Sequence, residues 1–154
     1  MDMFEVSYGF GMQGGLTIEI GEGPFDRTYK MRRISMRDDA FSLIEPVLRR
    51  HASKYSDNSR WGVTEVSAAE WRSTVNDLRV LAERLRVGEA PSISDISWVH
   101  TVDLDDDVEI GVEAAHRLFC EPEHIKSAAI FLVEVADWVE DSLQRHDALT
   151  VYGV

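Results

Sequence analysis

The sequence predicts one α+β domain over residues 1–154. An antiparallel sheet, made of an N-terminal meander and a C-terminal strand, packs against about four helices that lie mainly on one face. Three observations predict this. The opening residues alternate apolar and polar with a period of two. Later stretches carry apolar residues every three or four positions. The last six residues, Leu149 to Val154, are apolar on both sides of an extended chain. The first pattern belongs to half-buried strands, the second to helices with a buried face, and the third to a strand inside a sheet.

The central element is a helix over residues 122–146. Ile125, Ala128, Ala129, Leu132, Ala136, Val139 and Leu143 recur at helical spacing, and Phe131, Val135 and Trp138 widen that face. Only a narrow polar strip is left, at Glu134, Asp137, Asp141 and Arg145, so the helix must be covered on two sides. Pro122 suits the first turn, where its missing N–H costs nothing, and Glu123 suits the positive end of the helix dipole. An unpaired apolar strand at a chain end would aggregate, so residues 149–154 are expected to pair with strands from the other end of the chain.

From the start, Phe4, Val6, Tyr8 and Phe10 form one strand and Leu16, Ile18 and Ile20 a second, read as a hairpin across the glycine-rich residues 11–15. A third strand is expected across 28–34. Asp38 or Asp39 can cap a helix bearing Phe41, Ile44, Leu48 and Tyr55, which Pro46 should break near Glu45. Val63 to Val66 reads as a short extended piece. Ser67 and Glu70 form a capping box ahead of a helix with Trp71, Val75, Leu78, Ala82 and Leu85 inside, ended by Gly88. Ile96, Trp98 and Val102 mark an edge strand or an ordered loop. The acidic run from Asp103 to Asp107 is expected to lead into a helix with Val108, Val112, Ala115 and Phe119 inside, which Glu121-Pro122 ends.

The formal net charge is -12, from 28 acidic against 16 basic residues. Nucleic-acid binding needs clustered Lys and Arg, so that class is excluded, as is an anionic membrane surface. No window has the ~20 apolar residues of a membrane span, and the N-terminus lacks the basic start and apolar run of a secretory signal. One cysteine, Cys120, cannot form an internal disulfide. These features point to a cytoplasmic protein. The negative charge would steer a basic protein partner toward it.

Four constellations carry possible chemistry. Gly9-Phe10-Gly11-Met12-Gln13-Gly14 matches G-x-G-x-x-G, but a strand follows where a dinucleotide loop needs a helix. A turn requiring positive φ explains it better. Asp103, Asp105, Asp107 and Glu109 alternate like a calcium loop, but Val108 and Ala114 stand where glycine and glutamate are needed. His116, Cys120 and His124 are spaced four apart and contain plausible zinc ligands, with Pro122 interrupting the helix between the last two. Glu134, Asp137 and Asp141 put three carboxylates on one helix side, as a solvated strip also would. No nucleophile elbow, P-loop or H-E-x-x-H is present.

The expectation is therefore a non-catalytic acidic binding protein, such as an immunity protein or inhibitor that neutralises a basic toxin or nuclease. Its patch would be Asp103, Asp105, Asp106, Asp107 and Glu109, with Trp98 as an apolar anchor and no cofactor or metal. The competing class is a small-ligand or metal-dependent enzyme with its site near the glycine-rich turn 9–15 or at His116 and Cys120. A homo-oligomer is a third class.

Overall fold

The computed structural model describes residues 3–11, 17–56, 61–97, 99–103, 106–110 and 112–153, and for 99–103, 106–110, 112 and 114 it describes the backbone. The elements run β1 (Val6–Phe10), β2 (Thr17–Glu22), β3 (Arg32–Arg37), α1 (Asp38–Phe41), α2 (Glu45–His51), β4 (Val63–Ser67), α3 (Ala68–Arg86), β5 (Val99–Asp103), β6 (Asp106–Ile110), α4 (Val112–Phe119), α5 (Pro122–Ser142) and β7 (Ala148–Gly153). A 3-10 turn covers Ile93–Asp95. The architecture is α+β, as the sequence predicts. No helix among the described residues is long and apolar enough to cross a membrane.

The main sheet has the order β1-β3-β2-β7-β4, antiparallel throughout. β7 lies inside it between β2 and β4, and Leu149 through Tyr152 are all buried, so the two-sided apolar pattern identified an interior strand. β1 and β2, however, do not form the expected hairpin, because β3 lies between them. Glycine and arginine explain the pairing. Gly9 stands opposite Arg33, where a Cβ would come within 3.1 Å of the guanidinium, and Arg33 Nε donates a hydrogen bond to the Gly11 carbonyl. β1 is thus shaped to receive the Arg33 side chain.

The third strand begins four residues later than expected. Tyr29 is in a turn at φ 51°, its N–H bonded to the Asp26 carbonyl, and its ring packs on Tyr152 instead of continuing a strand.

The register separates the sheet's faces. Ile18, Ile20, Ile34, Met36, Val66, Leu149 and Val151 lie under α3 and α5. The opposite face carries Glu19, Arg33, Ser35, Thr150 and Tyr152, and residues 23–31 fold over part of it. Thr150 Oγ1 donates to the Gly23 carbonyl at 2.9 Å, and Phe25 and Tyr29 contact the Tyr152 ring.

Local chemistry sets the helix ends. Ser67 and Glu70 close the predicted capping box on α3, and Gly88 at φ 91° follows its end. Pro46 opens α2 after a turn at residues 42–44. The expected cap by Asp38 or Asp39 does not form. Arg37 holds the cap position and its side chain makes no capping bond, while Asp39, inside the helix, pairs with the Arg37 guanidinium at 2.7 and 3.1 Å and accepts from the Ala40 N–H at 3.0 Å. The expected long helix is α5 as far as Ser142, followed by turns through Arg145.

Residues 106–110 are a strand, not the start of a helix. Val108 and Ile110 alternate with acids, a period of two suited to β-branched residues, and the helix begins only at Val112. Ala115 and Phe119 are buried as expected.

The core joins the sheet's apolar face to α3 and α5. Trp71, Phe41, Phe119, Phe131 and Leu132 are essentially inaccessible. Each side chain of that size stabilises the fold by about 1.5–3 kcal/mol through lost apolar surface. The Trp71 indole also donates to the Leu149 carbonyl at 3.1 Å, pinning α3 to β7.

Candidate binding surface

The predicted acidic patch lies on a hairpin of its own. β5 and β6 pair with each other as a separate two-stranded sheet, with Asp103 opposite Asp106, Val102 opposite Asp107 and His100 opposite Glu109. Asp105 and Trp98 fall outside the described residues. The backbone therefore places Asp103, Asp106 and Asp107 at the turn end of the hairpin and Glu109 further along β6, opposite His100.

The outer ridge of α5 carries exposed apolar side chains. Sequence periodicity left this side to a polar strip, yet Ile130 is 62 % exposed and Val133 41 %. Together with Ala82, Glu83, Arg86 and Ala129 they line a groove of about 230 Å³ between α3 and α5. Ala82 and Ala129, one from each helix, are too short to fill it. The spacing that marks the buried face of α5 names neither residue, and composition alone does not say which way a mostly apolar helix is turned.

The three carboxylates on this helix do not converge. Tyr8 Oη donates to Glu134. Asp137 and Glu140 both hold the Arg79 guanidinium of α3. Asp141 pairs with Arg145 at 3.1 Å and Arg32 at 3.4 Å. Loss of water around its hydroxyl, then the Glu134 hydrogen bond, then the Glu134 and Asp137 charges push the Tyr8 phenol above its usual range. An acid held by a neutral phenol or a guanidinium is a structural tie, not a proton-transfer pair.

A third cluster lies where β2 meets the end of α5. Glu22 accepts from Arg145 at 2.7 Å and Ser142 at 2.9 Å, and it lies 3.2 Å from His146 Nε2 and 3.6 Å from Arg32 Nε. Burial opposes ionisation of Glu22, but the Arg145 and Ser142 hydrogen bonds and the Arg32 and Arg145 charges outweigh it, so its carboxyl sits below the ordinary range. Sequence alone had no route to this cluster, since its members lie about 120 residues apart.

Of the glycine-rich motif, residues 12–16, which include Gly14, lie outside the described residues. Gly11, at φ 71°, occupies a turn where a Cβ would come within 2.4 Å of the Tyr29 carbonyl, and β2 follows. Gly9 makes room for Arg33. Both have steric reasons that need no phosphate. Glu19 is fully buried behind this segment, its Oε1 3.9 Å from Arg33 Nε.

His116 and Cys120 do come together at the end of α4. Cys120 Sγ stands 3.4 Å from His116 Nε2, which lies 2.8 Å from the buried Pro91 carbonyl. His124 turns elsewhere, with Nδ1 2.7 Å from the Leu118 carbonyl and 3.3 Å from Glu121. Among the described residues no three His, Cys, Asp or Glu side chains gather as a metal site. The pair is also ill-suited to nucleophilic catalysis. A carbonyl at 2.8 Å is satisfied by a proton on Nε2, and while that hydrogen bond is made the nitrogen does not take the thiol's proton.

Trp61 is exposed just before β4, and Phe25 and Tyr29 are partly exposed over Tyr152. Phe25 and Val63 line a shallow depression with Lys54, Thr64 and Glu65. Comparison with protein-family models, with curated proteins and with solved structures finds no match for this chain.

Proposed function

We propose that this chain is a non-catalytic acidic binding protein of the immunity or inhibitor kind, which neutralises a basic protein partner such as a toxin or nuclease. The observation that carries the proposal is the β5–β6 hairpin. Five of the seven residues from Asp103 to Glu109 are acidic, and four of them, Asp103, Asp106, Asp107 and Glu109, lie on the strands of a separate two-stranded sheet. A two-stranded hairpin is only marginally stable by itself, and concentrating like charge in it lowers stability further. Such a segment is better suited to meeting an opposite charge than to holding the fold together. The net charge of -12 adds long-range attraction that speeds encounter with a positive surface and repels nucleic acid.

The test is affinity capture from a native cell lysate at low salt, using the wild-type chain beside the variant D103N/D106N/D107N/E109Q. The expected result is a basic protein retained by the wild type and lost by the variant, with binding that weakens steeply as salt rises. Retrieval of no basic protein, or equal retention by both chains, overturns the proposal.

A further inference from the structure

We propose that His116 Nε2, Cys120 Sγ and the Pro91 carbonyl oxygen form a binding site for a thiophilic divalent cation of the zinc type. Three electron-rich atoms converge here, at 2.8 Å between Nε2 and the carbonyl, 3.4 Å between Nε2 and Sγ, and 3.9 Å between Sγ and the carbonyl. Ligand atoms around tetrahedral zinc, with Zn–S about 2.3 Å and Zn–N about 2.0 Å, stand roughly 3.5 Å apart. Two of the three separations are close to that value. The third is short because a proton now lies between Nε2 and the carbonyl, and a small rotation of the ring opens it.

The elements make the arrangement firm. His116 and Cys120 are four residues apart at the end of α4, where the Cys120 N–H bonds the His116 carbonyl at 3.0 Å and continues the helical spacing. Pro91 is buried, so its carbonyl is held in place. Both side chains are partly exposed, which leaves a path in and a fourth position for water. His124 takes no part, since its Nδ1 faces the Leu118 carbonyl.

Binding balances simply. The imidazole proton shifts from Nε2 to Nδ1 and stays on the ring. The thiol proton leaves, so one proton is released for each cation bound, and the Pro91 hydrogen bond is replaced by coordination. This site is independent of the acidic hairpin and of the function proposed for it.

Cys120 is the chain's single cysteine, so its reactivity is a clean readout. A maleimide labels the intact protein at neutral pH with and without added Zn²⁺. Zinc is expected to slow labelling about tenfold or more by tying up the thiolate. H116A should abolish the protection, and H124A should keep it. Far-UV circular dichroism checks that H116A is folded. Independently of any variant, Co²⁺ added to the wild-type chain should give a thiolate-to-cobalt charge-transfer band with release of one proton. If zinc does not slow labelling, or H116A is protected as well as the wild type, or cobalt gives no such band, the triangle is only a hydrogen-bonded tie between Pro91 and α4 and the proposal is overturned.

Discussion

Glu22 shows how one side chain can hold three elements together. It is nearly buried on β2, yet it draws Arg32 of β3 and Ser142, Arg145 and His146 from the end of α5 and beyond. Charge-assisted hydrogen bonds of this kind contribute about 1.5–3 kcal/mol each, and removing one partner strands the others. Glu22→Gln should therefore lower unfolding free energy by about 1–3 kcal/mol at neutral pH, read from urea denaturation. The sign of the pH effect follows from the depressed folded pKa. The contribution is complete above the ordinary value of 4.5 and is lost as pH falls through the lower folded value. The wild type should lose stability below that pH more steeply than Glu22→Gln, and parallel curves would show that Glu22 is not the group responsible. Trp71 offers a neutral comparison. Trp71→Phe keeps most of the buried ring but removes the donor to the Leu149 carbonyl, and a loss of about 1–3 kcal/mol with no pH dependence is expected.

At the scale of the element, α5 has two unlike sides, and paired substitutions measure the difference. Leu132 is fully buried against the sheet, whereas Ile130, two residues before it, is mostly exposed. Leu132→Ala should cost about 2–5 kcal/mol, because it removes buried methyl groups and leaves a cavity. Ile130→Ala should change stability by no more than about 0.5 kcal/mol. Comparable losses at both positions in denaturant titrations would mean the helix is turned differently. On α3, Ser67→Ala breaks the capping box and should lower stability by about 1 kcal/mol, since the Glu70 N–H loses its side-chain acceptor. Glu70 also accepts from the Ser53 N–H at 2.6 Å, so Glu70→Ala should cost more than Ser67→Ala.

For the whole molecule, the decisive quantity is where charge lies relative to apolar contact. On the helix layer, many acids are matched: Asp137 and Glu140 by Arg79, Asp141 by Arg145 and Arg32, Glu83 by Arg86. These ties lie at the surface, where an ion pair contributes little and weakens with salt. Raising salt should therefore leave the fold nearly unchanged while strongly weakening capture of a basic partner. Thermal melts and binding titrations over the same salt range separate the two. A melting temperature that falls as steeply as the affinity would mean that the fold itself depends on its surface charges.

The sequence by itself determined the α+β class, the interior place of residues 149–152, the capping box at Ser67, and the buried faces of α3 and α5. Each of these is written in local spacing, because a helix or strand repeats its environment every 3.6 or 2 residues. It also located the acidic run, though as a helix start, since a string of carboxylates suits a helix N-terminus as well as a polar strand. Only the tertiary structure decided that β3 separates β1 from β2, that Ile130 and Val133 face outward, that Glu22 gathers the end of α5, and that the Pro91 carbonyl meets His116 and Cys120. Those outcomes depend on which distant backbone groups pair and which side chains share one space, and no local period records them.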